Sequence, residues 1–301
     1  MQVALLGFGK AGKTLFQELV RNKLVKSILV YDPKNFDNSD INFMETSKAK
    51  FYPHIYNFQQ SVDLVVIATP DNKHGEYLVK SIESKIPTFV EKPFISSVSE
   101  LQILKEKLAS TPNYKTTCNL ILRSSPLFRA LKSYFSKGSF GPRVLIEGKY
   151  LYGRWIKIAE GWRGHEDYSV ILGGLIHLVD IACFITGNYD YEVSIAKHRI
   201  TSKVPDHIID FSHLAMSSKV TGFYSLTTNF STNIEHRRDI SIYGDLSWVE
   251  VKGRNVEFDS GLKKEVEGLS PAPPTKGALL SEFISCVSGL EYDQGLFRNI
   301  R

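Results

Sequence analysis

The stretch Met1–Leu15, MQVALLGFGKAGKTL, constrains this chain more than any other. Val3 to Leu6 is a short apolar run of the kind that forms a strand buried on both faces. Gly7-Phe8-Gly9-Lys10-Ala11-Gly12 follows at once, and Leu15, Leu19 and Val20 then mark one face of a helix. In that setting Gly7 permits a tight turn, Gly9 admits the backbone to a pyrophosphate, and Gly12 lets helix and strand pack closely. The helix N-terminus adds N–H donors and the positive end of its dipole. The alternative is a glycine turn in some other α/β unit. A second strand, Ser27–Tyr31, ends at Asp32, twenty positions after Gly12, where a carboxylate accepts hydrogen bonds from ribose hydroxyls. Asp32 repels a 2′-phosphate and so favours NAD over NADP, while Lys34 acts in the opposite direction.

With 301 residues the chain has length for a substantial core in one large or two medium domains. The balance of 37 basic against 32 acidic side chains is mildly positive and forms no basic run, which argues against nucleic acid. No apolar stretch approaches membrane-helix length, and the first core strand starts too early for a signal peptide. Cys118, Cys183 and Cys286 are widely spaced among apolar neighbours, as buried thiols in a reducing cytoplasm would be, and no metal-ligand spacing occurs.

Down the chain, Phe51–Tyr56 reads as a short strand and Val62–Ala68 as a strongly buried one. It leads through Thr69-Pro70-Asp71-Asn72-Lys73-His74 into a helix from Gly75 to Ser84. Another buried strand, Thr88–Val90, ends at Glu91-Lys92-Pro93. Strands and helices alternating through short links imply a mostly parallel sheet, with ligands at the carboxyl ends of its strands. Gly7, Asp32, Thr69 and Glu91 all fall at such ends. Lys92 there is either a proton-relay cation or a solvated surface lysine, and His74 either a structural histidine or a cofactor contact.

GFGKAG, then ATPDNKH, then VEKPF, in this order and spacing, resemble the Gfo/Idh/MocA oxidoreductase family. The resemblance implies a Rossmann domain over residues 1–119 and an α+β domain with a largely antiparallel open sheet over residues 120–301. It also implies cofactor contacts from Gly7, Phe8, Gly9, Lys10, Ala11, Gly12, Asp32, Ala68, Thr69, Pro70, Asn72, His74, Glu91 and Lys92. Lys92 is then catalytic as well, and a cis bond precedes Pro93.

The second half starts with Asn119–Arg123 and a helix Pro126–Lys137, again similar to the family's crossover. Period-2 strands are expected at Val144–Tyr152, Val193–Ile200, Ile208–Ala215, Val220–Thr228, Ile240–Tyr243, Trp248–Val251 and Val256–Phe258. Their run without intervening helices makes the sheet antiparallel or mixed. Before most of them comes a helix, Leu175–Ile185, with Gly173-Gly174 at its start. It sets His177 and Asp180 three apart on one face. His177 is a candidate base for a hydroxyl proton, with Asp180 orienting it or touching substrate. The alternative is a core histidine satisfied by Asp180. Many members of the family carry an aspartate four residues before this histidine, where this chain has Gly173. Arg123, Arg163 and Tyr168 complete the expected substrate contacts, Arg163 as a clamp for an anionic group and Tyr168 as a stacking or hydrogen-bonding ring.

The resemblance implies a cytoplasmic NAD-dependent oxidoreductase acting on a secondary hydroxyl or ketone of a sugar, cyclitol or sugar-nucleotide-like compound. Two rivals stand beside it: an NAD-dependent glycoside hydrolase of the same architecture, and an NAD-binding protein without catalysis. Homodimers or homotetramers are expected through the second domain's sheet, whose alternation leaves Phe211 or Phe223 on a second face. Family members commonly end with a long amphipathic helix, a pattern absent from Tyr292–Arg301.

Overall fold

The computed structural model describes residues 1–33, 48–58, 61–160, 169–230, 233 and 235–290. They form two compact units, one comprising Met1–Ile121 and the chain from Thr275 onward, the other Leu122–Pro274. The last helix therefore lies with the first unit and outside a second domain running from 120 to 301.

The first unit is a parallel sheet of β1 (Gln2–Leu6), β2 (Ser27–Tyr31), β3 (Ala49–Tyr52), β4 (Leu64–Ile67), β5 (Thr88–Val90) and β6 (Thr116–Cys118). Its order is β3-β2-β1-β4-β5-β6. All four residues of β4 are fully buried, so the run LVVI pays no penalty for lacking a polar face. β3 stops at Tyr52 because Pro53 brings no N–H to the ladder, which is why it is shorter and earlier than Phe51–Tyr56. Helices α1 (Lys10–Arg21), α2 (His74–Glu83) and α3 (Val98–Ser110) complete the crossovers. Ser97 and Glu100 close a capping box that starts α3.

In the second unit, α4 (Pro126–Ser136) precedes β7 (Val144–Leu151), and α5 (Ile176–Thr186) precedes the remaining strands. These are β8 (Glu192–His198), β9 (Phe211–Ser218), β10 (Gly222–Asn229), β11 (Arg237–Gly244), β12 (Trp248–Lys252) and β13 (Asn255–Phe258). The order is β13-β12-β11-β7-β10-β9-β8, antiparallel except for the parallel pair β7–β10. β9 begins three residues later than Ile208, because Ile208 N–H is spent in a turn on Pro205 O and the Asp210 carboxylate accepts Ile200 and Thr201 N–H. On β7 the residues Val144, Ile146 and Tyr150 are buried, while Leu145, Glu147 and Lys149 face outward. No helix among the described residues is long and apolar enough to cross a membrane.

The last helix, α6 (Ala278–Val287), buries Leu279, Leu280, Phe283 and Ile284 in one cluster with Leu15, Phe16 and Leu19 of α1. Burial of that apolar face fixes where the helix sits, and sequence order does not.

Candidate functional site

At the end of β1, Gly7 takes φ +92° and donates its N–H to Tyr31 O at 2.8 Å. A Cβ there would lie 2.5 Å from Ala68 O, and one on Gly12 would lie 2.1 Å from Gly7 O. Glycine at both positions is what lets β1, β4 and α1 approach each other. Gly9 differs: nothing lies within 4 Å of a Cβ built there, and Gly9, Lys10 and Ala11 are exposed. No side chain caps α1, so the N–H groups of its first turn face this open space. Phe8 N–H donates to Asp32 Oδ2 at 2.7 Å, which draws the carboxylate to the glycine turn. The Phe8 ring itself is buried against Phe16 and Phe51, so that residue brings its backbone alone to the turn.

The neighbouring strand ends carry the polar groups of a second cluster. Ala68 is buried, Pro70 and Asn72 are exposed, and Thr69 Oγ1 is buried with no hydrogen-bond partner among the described residues. His74 is fully buried, its Nε2 2.9 Å from Thr69 O and its Nδ1 2.6 Å from Pro93 O. A neutral ring donates to one of these carbonyls and the imidazolium to both. Either way His74 ties the loops after β4 and β5 together through backbone carbonyls, the structural role weighed beside a cofactor contact. The Lys92–Pro93 bond is cis. Asn119 Nδ2 donates to Glu91 Oε1 at 2.6 Å and Lys92 N–H to Glu91 Oε2 at 3.2 Å. Burial pushes the Glu91 carboxyl up, against the Asn119 hydrogen bond and the charge of Lys92. Asn119 was no part of the sequence-derived site. Its placement after β6, beside the end of β5, depends on strand order.

This first-unit constellation fits a dinucleotide: an open glycine cradle, uncapped helix donors, a carboxylate at the next strand end and an orphaned buried hydroxyl. No cluster of three or more metal-ligating side chains occurs among the described residues.

In the second unit a π-helical turn, Ile171–Leu175, runs into α5, so Gly173 and Gly174 lie within that turn instead of at the helix start. His177 and Asp180 are both buried. Asp180 does not orient His177. Its two carboxylate oxygens each accept from Arg123 Nε at 3.0 Å, and Arg123 Nη2 adds a third contact. The guanidinium carbon also sits 5.6 Å from the Phe184 ring centroid. A buried carboxylate requires a paired cation, and Arg123 supplies it from outside the helix. Burial raises Asp180 even so, with Arg123 opposing. Arg123 and Asp180, expected as substrate contacts, are thus engaged with each other. Arg163 and Tyr168 lie outside the described residues.

His177 stacks on Tyr150 of β7 with ring centroids 5.9 Å apart. Tyr150 in turn meets Tyr152, Phe230 and His236. The period-2 pattern of β7 puts Tyr150 on the same face as Ile146, a signal that identifies it as inward but not as the neighbour of His177.

Residues 1–116 match the profile described as the oxidoreductase family, NAD-binding Rossmann fold. An inositol 2-dehydrogenase of Rubrobacter xylanophilus is 22% identical over 190 residues, 63% of this chain and 53% of that protein. A scyllo-inositol 2-dehydrogenase (NAD(+)) of Bacillus subtilis is 26% identical over 150 residues, 49% of this chain and 44% of that protein. The chain spans about half the length of these curated relatives. Among solved structures, myo-inositol dehydrogenase from Lactobacillus casei in complex with NAD(H) and myo-inositol superimposes with a TM-score of 0.75. The two share 16% identity over 97% of this chain and 87% of that one. Levoglucosan dehydrogenase in complex with NADH and levoglucosan gives 0.75 at 16% identity, over 98% and 92%.

Proposed function

We propose that this chain, whose residues 1–116 match the model of the Gfo/Idh/MocA oxidoreductase family, is an NAD-dependent oxidoreductase of that kind. Its substrate on this reading is a secondary hydroxyl, or the corresponding ketone, of a sugar, cyclitol or sugar-nucleotide-like compound. The observation that carries the reading is the open cradle at Gly9 between the close-packed Gly7 and Gly12, with Asp32 held beside it by Phe8 N–H. Relatives and structural neighbours named as inositol and levoglucosan dehydrogenases support the substrate class.

Bound in this cradle, the nicotinamide dinucleotide supplies the hydride acceptor or donor. The turn from Gly7 to Gly12 and the first N–H groups of α1 hold the phosphates. Asp32 accepts from the ribose hydroxyls and disfavours a 2′-phosphate. Thr69 offers its orphaned hydroxyl and Pro70 its exposed ring to the cofactor side. Lys92 and His177 are the residues assigned to the substrate proton, held at Lys92 Nζ or on the imidazole. A cytoplasmic setting belongs to the same reading, supported by three buried cysteines that form no disulfide.

The test runs in two steps. Titration with both cofactors should show NAD(H) binding more tightly than NADP(H), and equal or tighter NADP(H) binding overturns the role of Asp32. A screen of sugars, inositols and sugar nucleotides with NAD should then yield a substrate with net reduction of the cofactor. Lys92→Ala and His177→Ala should each keep cofactor affinity and lower turnover about a hundred- to ten-thousand-fold. Cleavage of a glycoside with no net cofactor reduction favours the hydrolase instead.

A further inference from the structure

On the inner face of the second unit's sheet, Tyr150 of β7 lies in register with Arg238 of β11. The Arg238 guanidinium carbon is 5.3 Å from the Tyr150 ring centroid, and His236 Nε2 is 3.3 Å from the Tyr150 hydroxyl. Arg154 lies 5.7 Å over the ring of Tyr152, which stacks on Tyr150 with centroids 6.0 Å apart. Three side chains able to carry positive charge thus gather on the tyrosine wall that also carries His177.

Among the described residues the two arginines, Arg154 and Arg238, have no carboxylate counter-charge, and Arg238 Nε is buried with no hydrogen-bond partner there. The neighbouring Arg237, on the opposite face, pairs with Asp239 at 3.0 Å. Tyr150 does not supply the charge either, because burial holds its hydroxyl above the ordinary phenol range and keeps it neutral. A guanidinium taken from water without an anion is costly, and its planar fork matches carboxylate and phosphate oxygens.

We propose that Arg238, with Arg154 and His236, binds an anionic group of the substrate, so that the substrate is a sugar acid or sugar phosphate and not a neutral polyol. This rests on the oxidoreductase reading above, which itself requires only a polyhydroxylated substrate.

The experiment measures binding of D-glucuronate, D-glucose 6-phosphate and myo-inositol to the full chain by calorimetry, with and without NAD. One anionic probe should bind at least about tenfold more tightly than myo-inositol, and which one does so distinguishes carboxylate from phosphate. Arg238→Gln should cut that probe's affinity about 10- to 100-fold, the worth of a hydrogen bond to a charged group, while NAD affinity and melting temperature hold. Arg154→Gln, at an exposed position, should give a smaller loss in the same direction and serves where Arg238→Gln does not fold. Equal binding of all three probes, no binding of either anion, or an anion preference unchanged in the folded variants overturns the proposal. Turnover of a neutral polyol but of neither anion removes this site and leaves the oxidoreductase standing. Failure to bind NAD removes the oxidoreductase, while the binding measured without NAD still reports on Arg238.

Discussion

At the residue scale, three glycines of one motif do different work. A methyl on Gly12 would meet the Gly7 carbonyl oxygen at 2.1 Å, backbone that cannot swing aside. Gly12→Ala gains about 1 kcal/mol of helix propensity and should still lower stability by about 1–3 kcal/mol through overpacking. Gly9→Ala meets nothing within 4 Å, so its melting temperature should stay near that of the parent while NAD affinity falls. Thermal denaturation and cofactor titration of the two variants separate packing from binding. Glu91 offers a pH test. Burial raises its folded pKa above the ordinary value of 4.5, so the folded state binds its proton more tightly than the unfolded chain does. The stability linked to that proton is fully present below about pH 4.5 and is lost as pH rises through the folded pKa. Glu91→Gln removes this dependence, so urea midpoints of the variant relative to the parent should improve as pH rises from acid to neutral.

Whole elements were legible in the sequence where one local force set them. β2 and β5 run over Ser27–Tyr31 and Thr88–Val90, as their apolar runs imply. Strand ends shifted where a proline or a carboxylate took the backbone, as at Pro53 and Asp210. The unit to which α6 belongs is not written in its own sequence, because its apolar face fits the core beside α1 as readily as any other. Phe283→Ala should cost about 3–5 kcal/mol by leaving a cavity beneath Phe89, whose ring centroid is 6.0 Å away. Hydrogen exchange should show the lost protection in β1, β4 and β5, and not in β7 or β10. Equal loss in both sheets would contradict the assignment of α6 to the first unit.

At the scale of the whole molecule, the second sheet presents Leu145, Phe223 and Trp248 to solvent at 39%, 45% and 38% exposure. Cross-strand register sets them in one row, Phe223 opposite Leu145, Leu145 opposite Tyr243, and Tyr243 opposite Trp248. An apolar row spanning four strands is a surface that a second copy can cover. We expect light scattering to show a dimer or tetramer at micromolar concentration, and Phe223→Glu with Trp248→Glu to dissociate it. A monomeric parent protein removes this expectation. The sequence by itself determined the glycine cradle, Asp32 at the next strand end, and the alternation that makes one sheet parallel and the other mixed. Those follow from local steric rules and from periods of two and 3.6 residues, which neighbours in sequence carry. Tertiary structure alone decided that Asp180 answers Arg123 and not His177, that His74 bridges two carbonyls, and that Arg238 meets Tyr150. Arg123 and Asp180 stand 57 residues apart, and no local spacing records a partner at that distance. Burial chooses it, because a charge removed from water is stabilised by whichever opposite group the packing brings within reach.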